Sequence, residues 1–253
     1  MAILGPVEVR GAARPFRRAP SLDLVVYLAL HRRGASNDAW ATALWPDRLM
    51  AGPTLHSTAS AARRALGHST SGTDHLPRSH GRLQLAPTVA TDFQELRDLS
   101  ARADPAAWRA ALALVRGRPF DGLRNGDWAV LEGVLSAVEE GVVDLALRLA
   151  GHELSAGSGR AAAAAARAGL LVSPYDERLY RVLLRAADLE GNPAGVERAM
   201  AELLQVIGGS GAARVPRPVA AADLRVVHPE TATLYRSLSR WGAAGSKGPV
   251  ASN

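Results

Sequence analysis

The stretch TLHSTASAARRALG, residues 54–67, combines two adjacent arginines with small residues almost everywhere else. At about 100° per residue, Leu55, Ala59, Ala62 and Leu66 fall on one stripe, spaced i, i+4, i+7 and i+11. That stripe is the expected buried face. Ser57, Ser60, Ala61 and Arg64 lie opposite, Thr54 and His56 sit near the N-terminal end, and Arg63 flanks. The outer face is short, polar and basic, and it carries no carboxylate. Such a face suits a helix that slides between phosphates to reach base edges. It equally suits a solvated helix beside a core, so the neighbouring elements must separate the two readings.

Upstream, AILGPVEVRGAARPFR alternates apolar and polar residues around a Gly-Ala-Ala turn and predicts two or three short strands. SLDLVVYLALHRRG predicts a first helix with a serine N-cap and an end at Gly34; Leu24, Tyr27, Leu28 and His31 recur at helical spacing. SNDAWATALWPD predicts a second helix, stopped by Pro46, and a loop holding Gly52-Pro53 leads into the quoted stretch. Downstream, a polar loop precedes HLPRSHGRLQLAP, which reads as a hairpin turning near Ser79-His80-Gly81. The order is strand hairpin, three helices, strand hairpin.

From TDFQELRDLSARAD onward the pattern becomes helix after helix: roughly 92–102, 105–116, 127–153, 158–171, 176–190, 193–207 and 229–240. SPYDERLYRVLLRAADLEGNPAGVERAMAELLQV is an αα-hairpin, with Gly191 as its break and Pro193 opening the second helix. Helix pairs recur at about the 34-residue period of tetratricopeptide (TPR) units, a period carried here by small-residue packing. GGSGAARVPRPVAA reads as a flexible interruption and GAAGSKGPVASN as a disordered tail.

With 253 residues, the chain has room for two domains of ordinary size. Apolar content is 47% and aromatic content only 5%, which with the alanine runs favours close-packed helices over a β-sandwich. Residues 1–92 hold 11 arginines against 6 carboxylates, whereas residues 93–253 hold 19 basic against 18 acidic residues. An anionic partner is therefore sought first at the N-terminal end. Twenty-nine of the 30 basic residues are arginine, in part a GC-rich coding bias. There is no cysteine, which removes disulfides and thiolate metal sites and fits a reducing, cytoplasmic compartment. Neither a membrane-spanning run nor a signal-peptide pattern is present.

The order of elements resembles that of the antibiotic regulatory proteins of actinomycetes (SARP), which join a response-regulator-type winged helix-turn-helix to a bacterial transcriptional activator domain (BTAD). The residues carrying the resemblance begin with LGPVEV, YLALHRRG, ALWPD and TLHSTASAARRALG. They continue through LPRSHGRLQLAP, TDFQEL, ALALVRGRPFDGL, LLVSPYDERLYRVLLRAADLEGNPAGVERAMAELL and VHPETATLYRSL, so they run from about residue 3 to residue 240. The version most resembled ends longer, membrane-anchored actinobacterial proteins, some with LysM domains, so the chain is open to being a fragment.

The resemblance implies a mainly α fold with small β. Residues 1–90 become a winged helix-turn-helix, 91–241 a TPR-like helical-repeat activator domain, and 242–253 the tail. In the family the third helix enters the major groove and the wing touches phosphates or the minor groove. The matching candidates here are Thr54, His56, Ser57, Ser60, Arg63 and Arg64 on the helix, with Arg78 and Arg82 on the 75–86 wing. Arg64 is the base-reading candidate, because a guanidinium spans guanine O6 and N7. His56, Arg63, Arg78 and Arg82 would set position on phosphates; for Arg63 a surface salt bridge to Asp47 is the equal alternative. The implied partners are double-stranded DNA, RNA polymerase or another protein through the helical domain, and a second copy side by side on direct repeats. No membrane contact by this segment and no cofactor or metal are implied.

The chain also departs from the family. Ala61 stands where a long or basic residue is common, Ala62 where a leucine is, and Arg82 where the wing has an aromatic residue. A recognition helix of reduced specificity follows. The Ala61/Ala62 pair favours a rival reading, a TPR-like interaction or effector-sensing module that reads DNA weakly or not at all. In the family the helical domain helps present the regulator to RNA polymerase. Arg178, Tyr180 and Arg181 lie on one charged segment of it and are open to a protein-facing groove; a buried repeat edge serves Tyr180 as well, and no site is committed in this domain. For the two tryptophans of AWATALW, the expectation is that Trp45 plugs the winged-helix core. An enzyme is the weakest rival: the histidines form no HxxxH or HExxH spacing, and GHSTSG, GGSGA and GSKG lack the frames their chemistry needs.

Overall fold

The computed structural model describes residues 1–77, 81–208 and 219–245, the last six without their side chains. The fold is mainly α with small β. Eleven α-helices, one 3₁₀ turn (Asp223–Arg225) and one two-stranded sheet are its regular elements among the described residues. Two compact units divide the chain: Met1–Ala101 with Leu114–Glu140, and Arg102–Ala113 with Gly141–Asn253.

In the first unit, residues 2–16 make none of the expected strands and only single bridges, Ala2 to Glu8 and Pro6 to Asp121. The reason is local chemistry. The Ile3 and Leu4 N–H groups donate to the Asp92 carboxylate at 2.8–3.1 Å, and their carbonyls accept from Phe120 and Arg116. With both sides of the backbone engaged, no strand partner is left. Ile3 and Leu4 are fully buried by this arrangement.

Helix α1 (Ala19–Leu30) starts two residues before the serine expected to cap it. Arg18 is the N-cap, Pro20 fills the first turn, and the Ser21 hydroxyl donates back to the Arg18 carbonyl. Leu24, Tyr27 and Leu28 are buried as their spacing requires. Helix α2 (Asn37–Leu44) is capped by a serine, with Ser36 Oγ accepting from Ala39 N–H. It is Trp40, not Trp45, that plugs this core. Trp40 is completely buried and donates its indole N–H to Asn37 Oδ1, while Trp45 is half-buried past the helix end.

Helix α3 (Gly52–Leu66) begins earlier than expected, because Pro53 starts the helix rather than belonging to the loop before it. Leu55, Ala59, Ala62 and Leu66 are all buried. The helix ends at Gly67, whose φ of +73° is a left-handed conformation that glycine adopts without strain. Strand β1 (Ala35–Ser36) pairs antiparallel with β2 (Arg82–Leu83). Gly34 makes that pairing feasible, since a Cβ there would lie 2.5 Å from the Leu83 carbonyl oxygen. The expected wing is closed at its base, where Ala86 N–H donates to the His75 carbonyl at 2.9 Å. Its outer strand joins β1 rather than only its own hairpin. Arg78, Ser79 and His80, the expected turn, lie outside the described residues.

Helix α4 (Asp92–Ser100) follows directly, opened by a reciprocal capping box between Thr91 and Gln94. The long helix expected over 127–153 is two helices, α6 (Asp127–Leu131) and α7 (Val134–Ser155). Gly133, at φ +70°, breaks them.

In the second unit, α5 (Pro105–Leu112), α8 (Gly159–Leu170), α9 (Glu177–Leu189), α10 (Pro193–Ile207) and α11 (Pro229–Gly245) pack as neighbours. α9 touches α8, α10 and α11. The alanine-rich α8 explains the composition. Gly159 lies against the Ala186 carbonyl and Gly169 against Leu179 and Ala146, and a Cβ at either glycine would approach within 2.7–2.8 Å. Only small residues allow backbones this close. α11 runs to Gly245, beyond the expected end at 240; the rest of the tail and most of the interruption after α10 lie outside the described residues.

Candidate functional site

The outer face of α3 keeps the character read from its sequence. Thr54, His56 and Arg64 are exposed, while Ser57, Ser60, Ala61 and Arg63 are half-exposed. The first turn holds no acidic residue and no side chain caps the N-terminal N–H groups, so the positive end of the helix dipole is uncompensated by the chain itself. Thr58, buried between the two faces, donates to the Thr54 carbonyl. It contributes to the floor rather than to the open side.

The eight candidate residues divide by what they hold. Arg63 donates its Nε–H to the Leu76 carbonyl at 2.8 Å, which ties α3 to the segment leading into the wing. Arg82 donates Nε–H to the Arg33 carbonyl at 2.9 Å and Nη2–H to the Gly34 carbonyl at 2.7 Å, bracing β1 against β2. These two guanidiniums anchor loops around the helix. Ser57 Oγ accepts from Arg18 Nη1 at 2.5 Å. Thr54, His56, Ser60 and Arg64 share one face of α3, and Arg78 lies outside the described residues.

Sequence reasoning misses Arg18 and its neighbours Arg14 and Arg17, although all three are exposed and lie beside α3. Their signal is the run RPFRR, which registers only as part of the N-terminal charge excess because a loop has no periodicity to assign a face. In the second unit, Tyr180 is buried, its hydroxyl donating to the Pro174 carbonyl. Burial, with the carboxylate of Glu202 nearby, pushes its phenol up to about 12. Arg178 binds Asp176 at 2.7 Å and Arg181 binds Glu230 at 3.3 Å. Tyr180 therefore takes the buried-edge alternative, while Arg178 is exposed and Arg181 half-buried, each paired with a carboxylate.

Among the described residues, no group of three or more histidine, cysteine, aspartate or glutamate side chains is placed to hold a metal ion. No helix there is long and apolar enough to cross a membrane.

Residues 88–206 match the family model described as Bacterial transcriptional activator domain. The chain carries a domain of this kind over those residues, in keeping with its resemblance to the SARP/BTAD type of regulator. Among solved structures it is similar to Mycobacterium tuberculosis EmbR, solved in complex with a low affinity phosphopeptide. The TM-score is 0.59 and the identity 22%, over 96% of this chain and 68% of that one, a likeness of fold. No curated protein sequence matches the chain.

Proposed function

We propose that the chain is a DNA-binding transcriptional regulator that acts in the cytoplasm. In this reading residues 1–90 are a winged helix-turn-helix, and α3 lies in the major groove. The 75–86 segment touches the backbone, and residues 91–241 are a TPR-like activator domain for contacts with RNA polymerase and a second copy on direct repeats. One observation carries it: α3 presents a face without carboxylates, with His56, Ser60 and Arg64 open beside an uncapped N-terminus. The positive end of the helix dipole and short polar side chains suit close approach to phosphates and base edges. With one exposed arginine on that face, base readout is sparse and binding is mostly phosphate-driven.

An electrophoretic shift with genomic fragments at moderate salt tests this. Retarded fragments that share a repeated sequence are the expected result; no retardation even at low salt defeats the reading. The second reading, an interaction or effector-sensing module, is favoured by the engagement of Arg63 and Arg82 with main-chain carbonyls. It predicts a folded chain that leaves every fragment unshifted.

A further inference from the structure

The segment RPFRRAP, residues 14–20, places three arginines within five positions just before α1. It is pinned along α3 at both ends, by its backbone at one and by a side chain at the other. Arg14 N–H donates to the Ala65 carbonyl at 3.1 Å, and Ala13 packs on Gly67, where a Cβ would come within 2.6 Å of it. At the other end the Arg18 guanidinium reaches Ser57 Oγ on α3. The segment is thus a second wall parallel to the outer face of the helix. Between the walls lies an open cleft of about 540 Å³, lined by Arg14, Arg17, Arg18, Ser21, Ala61 and Arg64 among others.

Four guanidiniums and no carboxylate line this cleft. None of the four makes an ion pair among the described residues. Ser21 lies in the first turn of α1, which has no acidic residue, so the positive end of that helix adds to the field. Ala61 contributes a single methyl group, which leaves the floor open. Like charges gathered this way repel one another, and an anion seated among them removes that repulsion while satisfying the arginine forks. The forks match oxygens of a phosphate group, and cations spread along a wall suit successive phosphates of one strand better than a single ion.

We propose that this cleft is a phosphate-binding site, occupied by backbone phosphates of the duplex that α3 enters. The proposal rests on the DNA reading for its source of phosphate, not for its chemistry. It assigns binding roles to Arg14 and Arg17, which sequence reasoning passes over, and makes Ala61 the opening of a site rather than a gap in the recognition face.

The test compares the full chain with an Arg14→Ala/Arg17→Ala double variant, whose two exposed side chains leave the buried core untouched. Duplex affinity is measured against salt on a preferred and a scrambled sequence, and melting temperature with and without inorganic tripolyphosphate. Both proteins should melt alike without ligand. The double variant should flatten the slope of log K against log salt by about 1.8 on both duplexes, because two fewer phosphates are neutralised. Tripolyphosphate should raise the melting temperature of the unaltered chain only. If the unaltered chain ignores DNA yet shows that tripolyphosphate response, the site stands with free polyphosphate as its ligand and the DNA reading falls. If DNA binds with equal slopes and tripolyphosphate does not distinguish the proteins, the site is wrong and the DNA reading stands. A chain that responds to neither overturns both.

Discussion

In the helical unit arginines meet carboxylates. Arg109 reaches the buried Glu153 at 2.5 Å, Arg167 meets Glu202 and Arg181 meets Glu230. Beside α3 the two kinds of charge are kept apart. Arg14, Arg17, Arg18 and Arg64 face an open cleft, while the buried carboxylate of that unit, Asp23, turns inward to the amide and backbone of Asn125. The same residue type therefore does two jobs. Where an acid is supplied by a neighbouring helix, arginine closes a helix pair. Where none is supplied, its charge is left for a partner. Net charge alone cannot separate these cases, because both units are rich in arginine.

The comparison breaks first at Glu153. Its side chain is only 4% exposed and holds the Arg109 guanidinium, which is itself 53% exposed. Arg109→Ala would leave a buried carboxylate without its cation, at a cost of about 3 kcal/mol. Urea unfolding should show a lowered midpoint with an unchanged m-value. An unchanged midpoint would mean that water serves Glu153 as well as arginine does, and the contrast between the units would lose its energetic content.

A smaller effect is expected under α3. Ala62 has no exposed surface, and its neighbours Leu55 and Leu66 are packed. Ala62→Leu should overfill that space and destabilise by about 2 kcal/mol. A stabilised variant would instead reveal a void beneath the helix. Thermal melts of the full chain decide between them.

How much of this is legible in the sequence depends on how local the determining interactions are. The α3 stripe can be read because helical periodicity needs only neighbours within two turns. The proline opening α10 is legible for the same reason. Trp40 takes the place expected of Trp45 because both lie on α2 and its exit, and only tertiary partners decide which one is enclosed. The N-terminal strands fail because Asp92, far along the chain, takes the N–H groups a strand would need. The arginine wall escapes for a similar reason: Ala13 against Gly67 and Arg14 against Ala65 are pairings about fifty residues apart, with no pattern inside RPFRR to announce them. Likewise, nothing in the spacing of Arg63 or Arg82 tells that main-chain carbonyls will hold them.

Within the α3 surface the contrast can be sharpened by separating base from phosphate. Arg64 is exposed at the border between the outer face and the cleft. If its fork reads a guanine, Arg64→Ala should reduce discrimination between preferred and scrambled duplexes by roughly 1–3 kcal/mol and leave the melting temperature unaltered. Equal losses on both duplexes with a flattened salt slope would make Arg64 a fourth phosphate cation instead. Competition titrations at three salt concentrations distinguish the outcomes.

The smallest effect tests the other half of the contrast, the inward-facing acid. Asp23 is 1% exposed. Burial pushes its carboxyl above the ordinary 3.8, against the hydrogen bonds of Asn125 and Arg124 and the charge of Arg124, which pull it down. One of its oxygens, Oδ1, has no hydrogen-bond partner, and Oδ2 accepts from both Asn125 nitrogens. Because the folded value is raised, the fold holds the proton more tightly than the unfolded chain does. The resulting stability is fully present below 3.8 and is lost as pH rises through the raised folded value. Asp23→Asn keeps an acceptor for Asn125 and removes the charge, so at neutral pH its stability should lie within about 1 kcal/mol of the unaltered chain. As pH falls from about 7 toward about 4, the unaltered chain should gain on the variant, since only it takes up a proton at this position. Parallel unfolding curves across that range, with a constant difference between the two proteins, would mean that Asp23 is charged and well solvated in the fold. Its burial would then carry no cost, and the separation of acids from arginines beside α3 would be a matter of placement alone.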